Sequence, residues 1–222
     1  AKGMAEGMAE GMAEGMAEVT AGSRLPQRLP LEDAGLRLQP FRAVDAEPLA
    51  ALVRASLPEL QPWLPWAHPG YDIDHARAFI AHTHAGFAAG SGHEFALWHG
   101  NRLVGACGLN AVDMTNLRAN LGYWIASSES GRGLVTRAVR QLIHWSFAET
   151  ALERLEIIAA VGNVRSQRVA ERVGAAREGV LARRVWVRPE PDTEPSRCVL
   201  GAGILYAVVR PTEPGVTGHA AA

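Results

Sequence analysis

Ser130-Gly131-Arg132-Gly133-Leu134 places two glycines one residue apart, and downstream come Asn163, Ser166 and Arg168. A pyrophosphate needs several convergent N–H donors, and glycine lets backbone approach an anion that closely. An amide at 163 and a hydroxyl at 166 lie one helical turn apart, so both reach the same ligand. The elements that must position these groups are legible around them. Residues 120–126 read as a strand. Residues 134–150 form an amphipathic helix, with apolar positions at 134, 138, 142 and at 135, 139, 143, 147. A strand at 154–161 and a helix at 164–173 follow. Strand, glycine turn and helix together make a phosphate-binding unit; the glycine pair by itself would be an ordinary turn.

The rest of the chain supplies a sheet and its cover. A strand is expected at 35–41, then a helix at 45–56 capped by Asp45 with Pro48 in its first turn. The segment 60–69 carries three prolines with Trp63 and Trp66 and is expected to be a stiff loop whose tryptophans wall a site or plug the core. A helix at 72–89 precedes strands at 93–99 and 102–111, joined by the tight turn Gly100-Asn101. Strands follow at 118–126, 177–187 and 197–209, the last two joined by a Pro-rich hairpin loop at 188–196. The fold class is mixed α/β, with a largely antiparallel sheet and one parallel crossover.

Composition narrows the chemistry. The chain has 222 residues with 48% apolar content and a formal net charge of -1, which gives no field to attract nucleic acid. Its single lysine is Lys2, which excludes a Schiff-base lysine or a lysine-dependent P-loop from the folded part. Cys107 and Cys198 form no metal-ligand or disulfide pattern, and a reducing cytoplasm fits. His82 and His84 diverge on a helix, and with His75 they lack a fourth ligand, so no metal is expected. No apolar stretch reaches the ~20 residues of a membrane helix, and no secretory leader is read. Residues 1–30, with Gly-Met-Ala-Glu four times over, read as a low-complexity leader and linker, 31–210 as the domain, and 211–222 as a tail. The apolar last strand and the methionine stripe leave room for a homodimer.

The motifs in order resemble the GNAT acyltransferases, in the branch similar to the ribosomal-protein N-acetyltransferases RimJ and RimL. The resemblance runs from Leu36-Arg37-Leu38 through Trp63-Leu64-Pro65-Trp66, Leu103-Val104-Gly105, Gly108-Leu109, Leu121-Gly122-Tyr123-Trp124-Ile125 and the glycine turn, to Asn163, Ser166, Gly174 and Glu178-Gly179. It implies a sheet splayed at an acetyl-CoA cleft. The backbone of 122–126, including Trp124, Ile125 and Ala126, would then hold the pantetheine arm, and the turn from Gly131 through Arg132, Gly133, Leu134 and Val135 the pyrophosphate. Asn163 would bond a pantetheine amide, and Arg168 would reach a CoA phosphate. The acceptor would be a primary amine, a peptide N-terminus first, with a small amine such as an antibiotic or polyamine as the alternative.

Transfer to an amine needs a base and a proton for the departing thiolate. Relatives often carry Glu where this chain has Asn120, which cannot accept a proton. That substitution keeps open a non-catalytic acyl-CoA sensor. Glu94, Asp113 and His144 are the candidate bases, Glu94 foremost, and Ser166 is the candidate donor to the thiolate. Cys107, amid apolar strand residues, is expected to be inert.

Overall fold

The structure, a computed structural model, describes residues 31–188 and 197–211. The leader at 1–30, nearly all of the tail and most of the 188–196 loop lie outside the described residues. Eight strands form one sheet: β1 (Leu31–Asp33), β2 (Leu36–Pro40), β3 (His93–His99), β4 (Arg102–Asp113), β5 (Arg118–Ile125), β6 (Arg154–Ala160), β7 (Ala176–Val187) and β8 (Val199–Val209). Their spatial order is β1-β2-β3-β4-β5-β6-β8-β7, and β5–β6 is the parallel pair in an otherwise antiparallel sheet. The helices are α1 (Ala46–Ala55), α2 (Leu57–Leu60), α3 (Ile73–Ala89), α4 (Leu134–Glu149) and α5 (Val164–Arg172).

Alternation along β3 sorts the two faces. Phe95 and Leu97 join Leu109, Leu121, Leu142, Trp145 and Leu155 in a core under α4 and α5. Ala96 and Trp98 join Leu49, Val53, Ile80 and Leu103 under α1 and α3. Each fully buried leucine contributes roughly 1.5–3 kcal/mol by removal from water, so the layers hold by their apolar faces. α3 starts where Asp72 Oδ1 accepts from the amides of Asp74 and His75, both at 3.0 Å, and stops at Gly90 in the left-handed region.

The structure differs from the sequence reading at Asp45 and at β1 and refines the Pro-rich loop. Asp45 does not cap α1 with its side chain: a 3₁₀ turn at Ala43–Asp45 comes first, and its carboxylate reaches back to Arg42 N at 2.8 Å and pairs with the guanidinium. The Pro-rich segment follows a short helix, α2, that ends at Leu60, and runs as the expected non-regular loop of tight turns such as Ala67 N to Leu64 O, 2.9 Å. β1, three residues long, folds back on β2 through Ala34 and Gly35, both at positive φ. It is too short to show a strand period.

Candidate active site

β5 and β6 share a register of three residues, Arg118–Asn120 against Arg154–Glu156, and then part. β6 stays paired with β8 along its whole length and β5 with β4, so the gap opens between them. A cavity of about 850 Å³ fills it, lined by residues 121–124 of β5 and 157–160 of β6. Asn163 and Ser166 of the α5 start, Trp63 and Trp66 of the turn segment, and Glu94, Asn110 and Asn120 of the sheet also line it.

The glycine turn follows β5 and stands outside the residues that line the cavity. Gly131 and Gly133 sit at φ +81° and +74°, a conformation that L side chains avoid, and a Cβ on either would meet nothing within 4 Å. The turn is thus open toward solvent. Gly133 leads into α4, whose first turn carries no acidic residue, so its positive end is uncancelled and its first amides are free to receive an anion. The side chains of Leu134 and Val135 are buried in the core, which leaves their backbone for that role. The Arg132 side chain is half exposed, and its guanidinium pairs with Glu129, which is 3% exposed and also held by Arg102 at 3.0 Å. What Arg132 offers an anion is backbone. Ser127 N donates to Ser56 Oγ at 3.3 Å, and the Ser127 hydroxyl donates to Glu59, which ties the turn to the α1–α2 corner.

Ala126 departs from the sequence reading. Its N–H donates to Val104 O at 2.8 Å and its carbonyl accepts from Glu129 N at 3.0 Å, so both backbone groups are committed within the protein. Ladder alternation gives Trp124 the same orientation as Ala126, with its backbone toward Ala106 of β4, and leaves the backbone of Ile125 turned away from β4. Asn163 caps α5 with its Oδ1, which accepts from Ser166 N at 3.1 Å. The NH₂ of that amide remains the donor toward the cavity.

On the cavity lining itself a polar chain crosses three strands. Asn120 Nδ2 donates to Asn110 Oδ1 at 2.9 Å, and Asn110 Nδ2 donates to Glu94 Oε1 at 3.1 Å. The strand register explains why it fits. Glu94, Gly108 and Gly122 are cross-strand neighbours, with Asn110 and Asn120 in the adjacent row. A Cβ on Gly108 would collide with the Glu94 carboxylate and come within 2.6 Å of its Cα; a Cβ on Gly122 would stand 3.3 Å from Asn110 Nδ2. The two glycines are the floor on which these side chains lie. Desolvation pushes the Glu94 carboxyl up to about 7, against the Asn110 hydrogen bond, which favours the carboxylate. Glu94 can therefore take or release a proton near neutrality.

Also on the lining, the Tyr123 hydroxyl lies 3.1 Å from Ser166 Oγ and donates to Ser166 O at 3.0 Å. Burial raises its pKa, so it stays a neutral donor. Rings close the mouth: Trp66 lies 5.9 Å from both Tyr71 and Trp124, and Tyr71 5.5 Å from His75. The Tyr71 hydroxyl is pushed up to about 12 by burial and by Asp72.

The other candidates lie apart from the cavity lining. Asp113 is bound by Asn116 and Arg118 and held below the usual carboxylate range, which makes it a poor base. His144 is exposed on α4, and Arg168 is exposed on α5. Cys107 is buried and its thiol is pushed up by desolvation and by Glu94, in keeping with an inert role. Sequence reasoning missed Asn110, Tyr123 and Glu129. The signal for Asn110 was present: glycine at 108 and 122 breaks two strands at positions that only pairing aligns.

Residues 35–176 match the family model described as the acetyltransferase (GNAT) domain, and the chain belongs to that family; it is an acetyltransferase. Over 136 residues it is 38% identical to the protein named "Putative ribosomal N-acetyltransferase YdaF" of Bacillus subtilis (strain 168), covering 61% of this chain and 74% of that protein. A ribosomal-protein-serine acetyltransferase of Escherichia coli (strain K12) is 33% identical over 39% of this chain and 49% of its own length. Among solved structures, RimJ of Mycobacterium smegmatis in complex with CoA-disulfide superposes with a TM-score of 0.67 at 26% identity, covering 78% of this chain and 81% of that one.

Proposed function

We propose that this chain transfers the acetyl group of acetyl-CoA to a primary amine at a protein or peptide N-terminus. The observation that carries the reading is the single cavity that reaches from the splayed strands to Glu94 on one side and the Tyr123–Ser166 pair on the other. The family and the CoA complex of the RimJ structure support the donor; the names of the Bacillus and Escherichia relatives support the acceptor. Acetyl-CoA, when bound, supplies an acetyl thioester. Gly131, Gly133 and the first amides of α4 bind its pyrophosphate, and Asn163 donates to the pantetheine arm.

Glu94 takes the proton that makes the amine nucleophilic, directly or through one water. An α-amino group, with a pKa of ~8 against ~10.4 for a lysine amine, needs a base no stronger than this one. Asn110 orients Glu94, and Asn120 orients Asn110 in turn. Ser166, backed by Tyr123, donates a hydrogen bond to the sulfur as it leaves. Glu94 thereby restores, from β3 two strands away, the carboxylate that Asn120 on β5 lacks, and this favours turnover over a silent acyl-CoA sensor. Free thiols at Cys107 and Cys198 fit a reducing compartment.

The test is thiol release from acetyl-CoA with peptide N-termini as acceptors, beside a thermal-shift titration with CoA. Turnover with loss of the N-terminal amine supports the reading. Stabilisation by CoA without turnover returns the sensor, and no stabilisation overturns the cofactor site.

A further inference from the structure

The acceptor end of the cavity is unusual in its charge. Among the described residues that line it, Glu94 is the one carboxylate, and neither arginine nor lysine occurs there. Asn110 and Asn120 are tied into the Glu94 chain, and the surface around them is mostly ring and aliphatic, with His68 and His75 beside the rings. Trp66, 41% exposed, projects into the mouth and makes angled contacts with Tyr71 and Trp124, while His75 and Phe79 come down from α3. Such an arrangement has room for one positive charge and a wide apolar surface beside it. A second ammonium would enter a partly desolvated space with no counter-charge, which is strongly unfavourable. An acidic substituent next to the amine would meet Glu94 as a like charge. A small substituent would leave the rings uncovered.

We propose that the acceptor is a monocationic primary amine flanked by a bulky apolar or aromatic group, with its amine at Glu94 and that group against Trp66, Tyr71 and Trp124. The inference rests on the acetyl-transfer reading above and adds a selectivity to it. Rings at this distance contribute in two ways: they bury the flanking group, and their faces attract the ammonium on its way to the carboxylate. Polyamines and aminoglycosides, with several cations each, are poor fits. The same chemistry has two sources, the first residue of a polypeptide or a free aralkylamine.

The experiment measures kcat/KM by thiol release for tripeptide amides X-Ala-Ala, with X as Phe, Leu, Met, Ala, Ser or Asp, together with phenethylamine and spermidine. The expected result is an advantage of Phe, Leu and Met over Ala and Ser of about 10-fold or more, the factor that burying one such side chain supplies, with Asp and spermidine lowest. The variant Trp66→Ala, at a partly exposed position, should bring the Phe-to-Ala ratio toward one. Equal or better turnover of Ser, Ala or spermidine overturns the inference while leaving acetyl transfer intact. A Phe preference unchanged in W66A overturns the placement. Absence of turnover with every amine overturns the underlying reading instead. Phenethylamine matching the Phe peptide supports the class and assigns it to small amines; a Phe peptide far ahead assigns it to polypeptide N-termini.

Discussion

The two sides of the proposed site are built from different material. The proposed cofactor side is backbone: two glycines at positive φ and the first amides of α4, beyond the cavity lining, and the edge of β5 past its three-residue pairing with β6. The acceptor side is made of side chains, with Glu94, Asn110 and Asn120 drawn from three strands and Trp66 and Tyr71 from turns. A backbone site follows from local conformation and so tolerates change in its neighbours. A side-chain site exists only when strand register is correct, because a slip of one residue would turn Glu94 to the opposite face.

Each side can be broken without the other, and the largest effect is expected at Glu94. The variant Glu94→Gln should lower kcat by roughly 10²–10³-fold, the scale of a lost general base, with the CoA thermal shift retained. Equal losses of CoA binding and turnover would merge the two sides and refute the distinction. Conversely, Gly133→Val forces a β-branched side chain into left-handed backbone, at a cost of about 1–2 kcal/mol, and should weaken CoA binding by at least ~10-fold. Calorimetric titration with CoA checks this.

Titration sharpens the comparison further. Because the folded protein holds the Glu94 proton to about 7, above the usual carboxylate value of 4.5, the folded state binds more protons than the unfolded chain between those values. Stability at this site therefore falls as pH rises from about 4.5 to 7. The Glu94→Gln protein should lack that fall and be more stable than the parent at pH 8 by roughly 1–3 kcal/mol, read by urea denaturation at pH 5 and 8. In the parent, kcat/KM should climb with pH through the same region. Removing the hydrogen bond that favours the carboxylate, with Asn110→Ala, should shift that limb upward by about half a unit to one unit. The smallest effect is expected from Tyr123→Phe, which leaves Ser166 in place and should lower kcat about 3- to 10-fold with the pH limb unmoved.

The same contrast explains what could be read from the chain alone. The glycine turn, α4 and the Asn163–Ser166 helix start were legible because each depends on residues close in sequence. A largely antiparallel sheet with one parallel crossover followed from the succession of strands and helices, whereas the strand order, with β8 between β6 and β7, was not read. The Glu94–Asn110–Asn120 chain was only partly legible: Glu94 and Asn120 stood out by type, but Asn110 links them across separations of 16 and 10 residues that no local period records. The partners of Ala126, Val104 and Glu129, were not legible, because the strand pattern marks which residues are extended but leaves open which partner takes their hydrogen bonds. Glu129 was not singled out, because a lone acid in a turn gives no sign in sequence that it is buried between Arg102 and Arg132.

The three-residue ladder between β5 and β6 has a mechanical meaning. It divides the sheet into a plate of five strands and a plate of three, stitched at one end and open at the other. A molecule lying along the open seam acts as a strut, replacing with its own amides the rungs the strands do not supply. Loading the strut stiffens the joint, and releasing it lets the plates flex about the remaining stitch. Amide exchange along the inner edges of 121–124 and 157–160 should accordingly slow when CoA is bound.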